Sequence, residues 1–313
     1  MLPVEKMAQK ILRRHKILPP YNLQELVSIY GDISYYPFPI DADGITIGIG
    51  ETKKPQILIN STKAEIRQRF TLAHELGHII IPWHTGTIVS HCDGMAGEFE
   101  YRTMESEANK FAAELLMPTD WLTSEFQSGK KFGDYVNSII ERSQVSRDAA
   151  LIKIHSVIDV PLLTVRIDDL GNVSGNPFLS GSAPRSADLQ GKNVFFSDIF
   201  STSISSDVFT INDKLYKYWL FSSEHLEDKD GRDWREILSC ILEETGCGDI
   251  QQSINAVLPA HFQKHKQKNI DEISSAVIRA YDGRERFARV VAHPLFKQYV
   301  IKRIKELKLK KQL

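Results

Sequence analysis

The chain has 313 residues, beyond the ~250–300 at which a single hydrophobic core stops growing, so two domains are expected. Its 42% hydrophobic and 25% charged content excludes a wholly disordered chain, and 39 basic against 40 acidic residues, a formal net charge of -1, single out no charged partner. No apolar run reaches the ~18 residues of a membrane span, the N-terminus lacks a secretory apolar core, and three cysteines (Cys92, Cys240, Cys247) make no disulfide framework, which together suit a cytoplasmic protein with no membrane partner.

The opening segment, MLPVEKMAQKILRRHKILPP, reads as a basic amphipathic helix with Val4, Met7, Ile11 and Leu12 on one side. Asn22 caps a second helix, LQELVSIYG, which Gly31 ends. DISYYPFP, GITIGIG and KKPQILINS read as strands, with the turn residues DADG between the first two. Thr62 and Glu65 form a capping-box pattern ahead of KAEIRQRFTLAHELGHIII, a helix that Pro82 closes. A Gly- and His-containing loop is expected over residues 83–102, followed by the helix MESEANKFAAELLM, which Pro118 stops. DYVNSIIERS and SRDAALIKIHS are shorter helices that complete a compact α+β unit.

Near Val160 the texture changes. PLLTVRID with NVSGNPF suggests a hairpin, and NVFFSDIF, DVFTIND and KLYKYWLF are aromatic and β-branched strand candidates. Helical spacing returns in DWREILSCILEETG and in NIDEISSAVIRAYDG, which Asn269 and Glu272 cap. The expected organisation is therefore a first domain over residues 1–158 and a mixed α/β second domain over residues 159–313.

The informative segment is His74-Glu75-Leu76-Gly77-His78. Two histidines four apart project from one face of a helix, one turn apart, so both imidazoles can reach one ion at ~2.0–2.1 Å. Glu75, beside the first of them, can hold a water on that ion without ligating it. A chain of this composition holds roughly 0.02 such matches by chance. On the helical wheel Leu72, Leu76, Ile79 and Ile80 form the packing face, and His74 and His78 lie opposite it with Thr71 and Arg67.

A catalytic zinc takes a third protein ligand and leaves one position for water. The helix Met104–Met117 offers two carboxylates. Glu105 flanks the apolar stripe of Met104, Ala108, Phe111, Ala112 and Leu115 and is the expected ligand. Glu107 is the second choice; it lies near Glu114 and Lys110 on what reads as a solvated charged face. Asn109, one turn beyond Glu105, can accept a hydrogen bond from a ligand histidine and set its tautomer. Gly77 lets the two helices approach closely. Imidazole plus carboxylate suits zinc, with Mn²⁺ and Fe²⁺ as alternatives, and the chemistry such a set supports is peptide hydrolysis with Glu75 as the proton carrier. For the oxyanion-stabilising group, His84, His91 and Tyr101 lie in or near the intervening loop, each also readable as a plain loop residue.

RFTLAHELGH followed by ESEANKFAAELLMP, with Glu105 27 positions after His78, resembles the ImmA/IrrE family of metallopeptidases, and VSRDAALIKI resembles its short helix that follows. The resemblance covers residues 1–158. It implies a minimal zincin-like metallopeptidase domain in which His74, His78 and Glu105 ligate zinc and Glu75 is the catalytic base. It also implies a substrate class: a partner repressor with a helix-turn-helix domain, cleaved in response to DNA damage or mobile elements. The resemblance further suggests a GAF-like sensory domain for residues 159–313. The layout is also similar to that of the peptidases regulating some bacterial anti-phage (CBASS) operons.

Two weaker signals complete the reading. Cys92, in SHCDGMAGE between the two helices, is a candidate inhibitory ligand that would displace the zinc-bound water, against the alternative of an ordinary reduced cysteine. From Arg284 to Leu313 there are ten Lys/Arg and two Asp/Glu; this stretch suggests single-stranded DNA or a nucleotide as an activator at the second domain, against the alternative of a solvated terminal helix with Ile304 and Leu307 on its packed side. The rival to an enzyme is a non-catalytic binding module with a structural zinc site that sequesters its partner. Glu75 discriminates between them, since a structural site has no use for it.

Overall fold

The computed structural model describes residues 1–90, 99–181, 183–184, 189–195, 199–200, 202–222, 226–282 and 284–310. The backbone divides into two compact units, Met1–Val157 and Ile158–Leu313.

The first unit opens with α1 (Pro3–His15), whose Val4, Ala8, Ile11 and Leu12 are buried, and α2 (Leu23–Ser28), capped by the Asn22 side chain accepting from the Gln24 and Glu25 amides. Four strands follow around a central helix: β1 (Asp32–Tyr36), β2 (Gly44–Ile49), β3 (Gln56–Asn60), then α3 (Glu65–Ile80) and β4 (Gly86–Ser90). The sheet order is β1-β3-β2-β4; β1 and β3 run parallel, and the other pairs are antiparallel. Four helices complete the unit: α4 (Phe99–Leu116), α5 (Thr119–Gln127), α6 (Phe132–Ser143) and α7 (Arg147–Val157).

Three local expectations change. The stretch expected as a loop contains β4, whose Thr87, Ile88 and Val89 are strand formers hidden between glycine and histidines. The capping box at Thr62 does not form: α3 begins at Glu65 after Ala64, and the Thr62 hydroxyl donates to Asn60 Oδ1 at 2.8 Å. The helix expected from Met104 begins five residues earlier, at Phe99.

α3 is buried on more than one side. Leu72 and Leu76 are buried as their spacing requires, but every residue from Thr71 to His78 is buried too. The helix packs against β2, β3 and α4, so its polar face turns into the molecule. Gly77 sets the approach to α4: a Cβ there would stand 3.1 Å from Phe111 Cδ1 and 3.4 Å from Ala108 Cα. Glu114, expected on a solvated face, is also inside. It accepts from Gln9 Nε2 (2.9 Å), the Thr119 amide (2.9 Å) and hydroxyl (2.7 Å), and Lys153 Nζ (2.6 Å), joining α1, α4, α5 and α7.

In the second unit, β5 (Leu162–Ile167), β6 (Phe178–Ser180), β7 (Ser203–Ile211) and β8 (Lys214–Phe221) form an antiparallel sheet of order β6-β5-β8-β7. β7 and β8 are joined by Asn212 and Asp213, both at positive φ, residue types that tolerate this backbone in a tight hairpin. NVFFSDIF forms no strand among its described residues; Asn193 makes only an isolated bridge to Asn172. Helices α8 (Trp234–Thr245), α9 (Gln251–His265), α10 (Ile270–Tyr281), α11 (Ala288–Val291) and α12 (Phe296–Leu309) share one apolar core, and the sheet has its own around Leu163, Val165, Trp219 and Phe221. α12 buries Tyr299, Val300, Ile301 and Ile304. Several of its basic groups are already paired, Lys302 and Lys305 with Asp228, Arg303 and Lys310 with Glu306. No helix among the described residues is long and apolar enough to cross a membrane.

Candidate metal centre

Helix α3 places His74 and His78 one turn apart, and their Nε2 atoms face each other at 2.9 Å. Close packing at Gly77 brings α4 alongside, so that Glu105 reaches both rings, Oε2 at 3.5 Å from His74 Nε2 and Oε1 at 3.2 Å from His78 Nε2. Both imidazoles are fully buried, and the Glu105 side chain is 12% exposed. This excludes the reading of the pair as surface histidines. Polar groups taken out of water must be compensated, and here three donors converge on one point. Three ligands of a tetrahedral ion at ~2.0–2.1 Å stand about 3.3 Å from one another; the separations of 2.9, 3.2 and 3.5 Å lie around that value. Among the described residues His74, His78 and Glu105 are the group able to hold a metal ion, and their donor chemistry suits zinc.

Burial works against the Glu105 carboxylate, but hydrogen bonds and charge from His74 and His78 outweigh it and hold its pKa well below the usual carboxylate range. Glu75 behaves oppositely. Burial pushes its pKa up to about 7, against the opposing pulls of His78 and the Thr46 hydroxyl. Its Oε2 accepts from Thr46 Oγ1 at 2.6 Å, whereas Oε1 is buried with no hydrogen-bond partner among the described residues.

The carboxylate fits because position 44 is glycine. A Cβ there would overlap the Glu75 carboxylate and come within 2.7 Å of Thr71 Cγ2. Gly44→Ala is therefore expected to displace Glu75 and destabilise the fold by about 1–3 kcal/mol, the usual cost of overpacking. The measurement is a melting curve; an unchanged midpoint would show that the site yields without strain.

Asn109 lies where its spacing placed it, with Oδ1 3.0 Å from His74 Nδ1. Glu107 does not join the converging donors. It is neither a ligand nor a freely solvated carboxylate: its Oε2 accepts from Trp83 Nε1 at 2.6 Å and lies 3.1 Å from His84 Nε2. His84 is buried, and its Nδ1 stands 2.9 Å from His78 Nδ1. Both ring nitrogens of His84 are thus engaged, which removes it as an oxyanion donor. Burial lowers its pKa, against the opposing pull of Glu107. The Tyr101 hydroxyl donates to the Val89 carbonyl at 2.7 Å. Sequence reasoning missed the role of His84. Its position six residues after His78, past the end of the helix, follows no ligand spacing; the usable signal was a third histidine close behind the pair. His91 and Cys92, the latter expected as a candidate inhibitory ligand, lie outside the described residues.

Residues 31–155 match the family described as Peptidase_M78, IrrE N-terminal-like domain. A stretch of 107 residues, 34% of this chain, is 33% identical to the Radiation response metalloprotease IrrE of Deinococcus radiodurans and covers 33% of that protein. The protein of the same name from Deinococcus deserti is 30% identical over 118 residues, 35% of this chain and 42% of its own. The Uncharacterized immunity region protein 2 of Bacillus phage phi105 is 26% identical over 125 residues, 40% of this chain and 74% of its own. The chain thus spans about a third of the length of the first relative. The helices carrying His74, His78 and Glu105 lie within the matched residues 31–155, so the first unit carries a domain similar to the IrrE N-terminal domain, and two of the relatives above are named as metalloproteases.

Proposed function

We propose that the chain is a zinc-dependent endopeptidase that cleaves a helix-turn-helix transcriptional repressor in response to DNA damage or phage infection, releasing a stress or defence operon. The observation that carries the reading is the convergence of two buried imidazoles and one carboxylate, with a second, unligating carboxylate, Glu75, in the same interior. In this reading His74, His78 and Glu105 hold the ion and Asn109 orients His74. Zinc bound there supplies a water of lowered pKa and a Lewis acid for the scissile carbonyl. Glu75 Oε1 takes the proton of the attacking water and returns it to the leaving amine nitrogen. The names of the relatives, a radiation response metalloprotease and a phage immunity region protein, support a regulatory substrate rather than a digestive one.

The second unit is assigned the sensing role, as a GAF-like domain with single-stranded DNA or a nucleotide as its input. The ion pairs already made along α12 narrow the basic surface left for such a ligand.

The test is to combine the full chain with candidate helix-turn-helix repressors, in zinc or in chelator, with and without single-stranded DNA. One zinc per chain and a single zinc-dependent cut are expected, along with a rise in melting temperature as zinc saturates the folded state, about 4 kcal/mol at a thousandfold excess over Kd. One bound zinc with no cut under any of these conditions would instead favour partner sequestration.

A further inference from the structure

The two histidines of the centre are held by different means. His74 Nδ1 meets a neutral side-chain amide, Asn109. His78 Nδ1 meets a second imidazole, and that imidazole meets a carboxylate: the separations are 2.9 Å from His78 to His84 and 3.1 Å from His84 Nε2 to Glu107 Oε2. An imidazole that ligates through one nitrogen carries its proton on the other. If His78 Nε2 faces the ion, Nδ1–H must donate, so His84 Nδ1 must accept. His84 then carries its own proton on Nε2 and donates it to Glu107. Every proton in this chain has one place, and the order ends on an anion.

We propose that His84 and Glu107 form a positioning relay that locks His78 in its metal-ligating tautomer, making His78 the more strongly held of the two histidine ligands. The inference rests on the zinc reading above and deepens it.

Three features make the relay more than a chance contact. His84 is buried, so no water competes for its Nδ1. Glu107 is itself anchored, since Trp83 Nε1 donates to the same Oε2 at 2.6 Å. Glu107 also lies two residues from Glu105 on one helix, so α4 presents a carboxylate to the inner side of His78 through Glu105 and to its outer side through His84. Partners of this kind typically change metal affinity 10–100-fold when removed.

The test is a zinc competition titration of the full chain against a chromophoric chelator at fixed pH, with the melting temperature of the metal-free protein recorded for each variant. His84→Leu and Glu107→Ala are expected to weaken zinc binding about 10–100-fold at a metal-free melting temperature close to wild type. His84→Gln, whose amide both accepts and donates, is expected to recover most of the loss, which a purely space-filling role would not produce. In the zinc-loaded wild type, nitrogen NMR should show the His78 ring protonated at Nδ1.

His84→Leu or Glu107→Ala binding zinc as tightly as wild type would overturn the relay while leaving the metal centre intact. If His84→Leu does not fold without metal, Glu107→Ala decides alone, because that side chain is partly exposed. A wild-type chain that takes up no zinc would remove the metal centre and the relay together.

Discussion

Glu114→Ala is expected to destabilise the first unit by about 3–5 kcal/mol, the cost of leaving a buried ammonium without its counter-ion. Lys153 Nζ stands 2.6 Å from Glu114 Oε2, and both side chains are withdrawn from solvent, at 10% and 0% exposure. An exposed pair of the same geometry would contribute less than about 1 kcal/mol, so burial decides the size of the effect. The lost carboxylate would also strand Gln9 and the Thr119 amide and hydroxyl, which bond to it from α1 and from the first turn of α5. Lys153→Met should cost less than Glu114→Ala, because the remaining carboxylate keeps those three donors. Glu114→Leu combined with Lys153→Met should recover the part of the loss that comes from the unpaired ammonium, since replacing both charges of a buried pair by apolar groups is far milder than removing one, and keep the part that comes from Gln9 and Thr119. Urea unfolding of the full chain measures all three. Single variants within 1 kcal/mol of wild type would show that water reaches the pair.

Glu75→Gln should bind zinc with unchanged stoichiometry and fold as the wild type does, yet lose the proposed peptidase activity by about 10²–10⁴-fold, the range for removal of a general base. The amide matches the carboxylate in size, and the Thr46 hydroxyl, now 2.6 Å from Oε2, can rotate to accept where it had donated. Zinc content and the metal-free melting temperature serve as controls. Cleavage at the wild-type rate would remove Glu75 from the chemistry. Loss of zinc would recast it as part of the metal-holding set, contrary to its Thr46-bonded position.

Much of the first unit could be read from periodicity. The four-residue spacing of His74 and His78 places them on one helix face whatever surrounds it, and the apolar stripe from Ala108 to Leu115 puts Glu105 and Asn109 on a common flank. The strands DISYY, GITIGI and QILIN announce themselves by alternation and β-branched content. In each case the signal is local, and the backbone geometry that interprets it is the same in every protein.

Other features depended on residues far apart in the chain. The wheel of α3 showed a polar face but not that it turns inward, because the sheet it packs on, through β2 and β3, has the order β1-β3-β2-β4, which no single segment specifies. Glu107 and Glu114 looked alike as helical carboxylates. One ends against Trp83 and His84, the other against Gln9 and Lys153, 105 and 39 positions away. Helical repeat sets the spacing and direction of side chains, and so it already limits which of them could meet a metal. Which polar groups lie inside, and what compensates each one, follows from three-dimensional packing, because desolvation depends on everything packed around a group rather than on its neighbours along the chain.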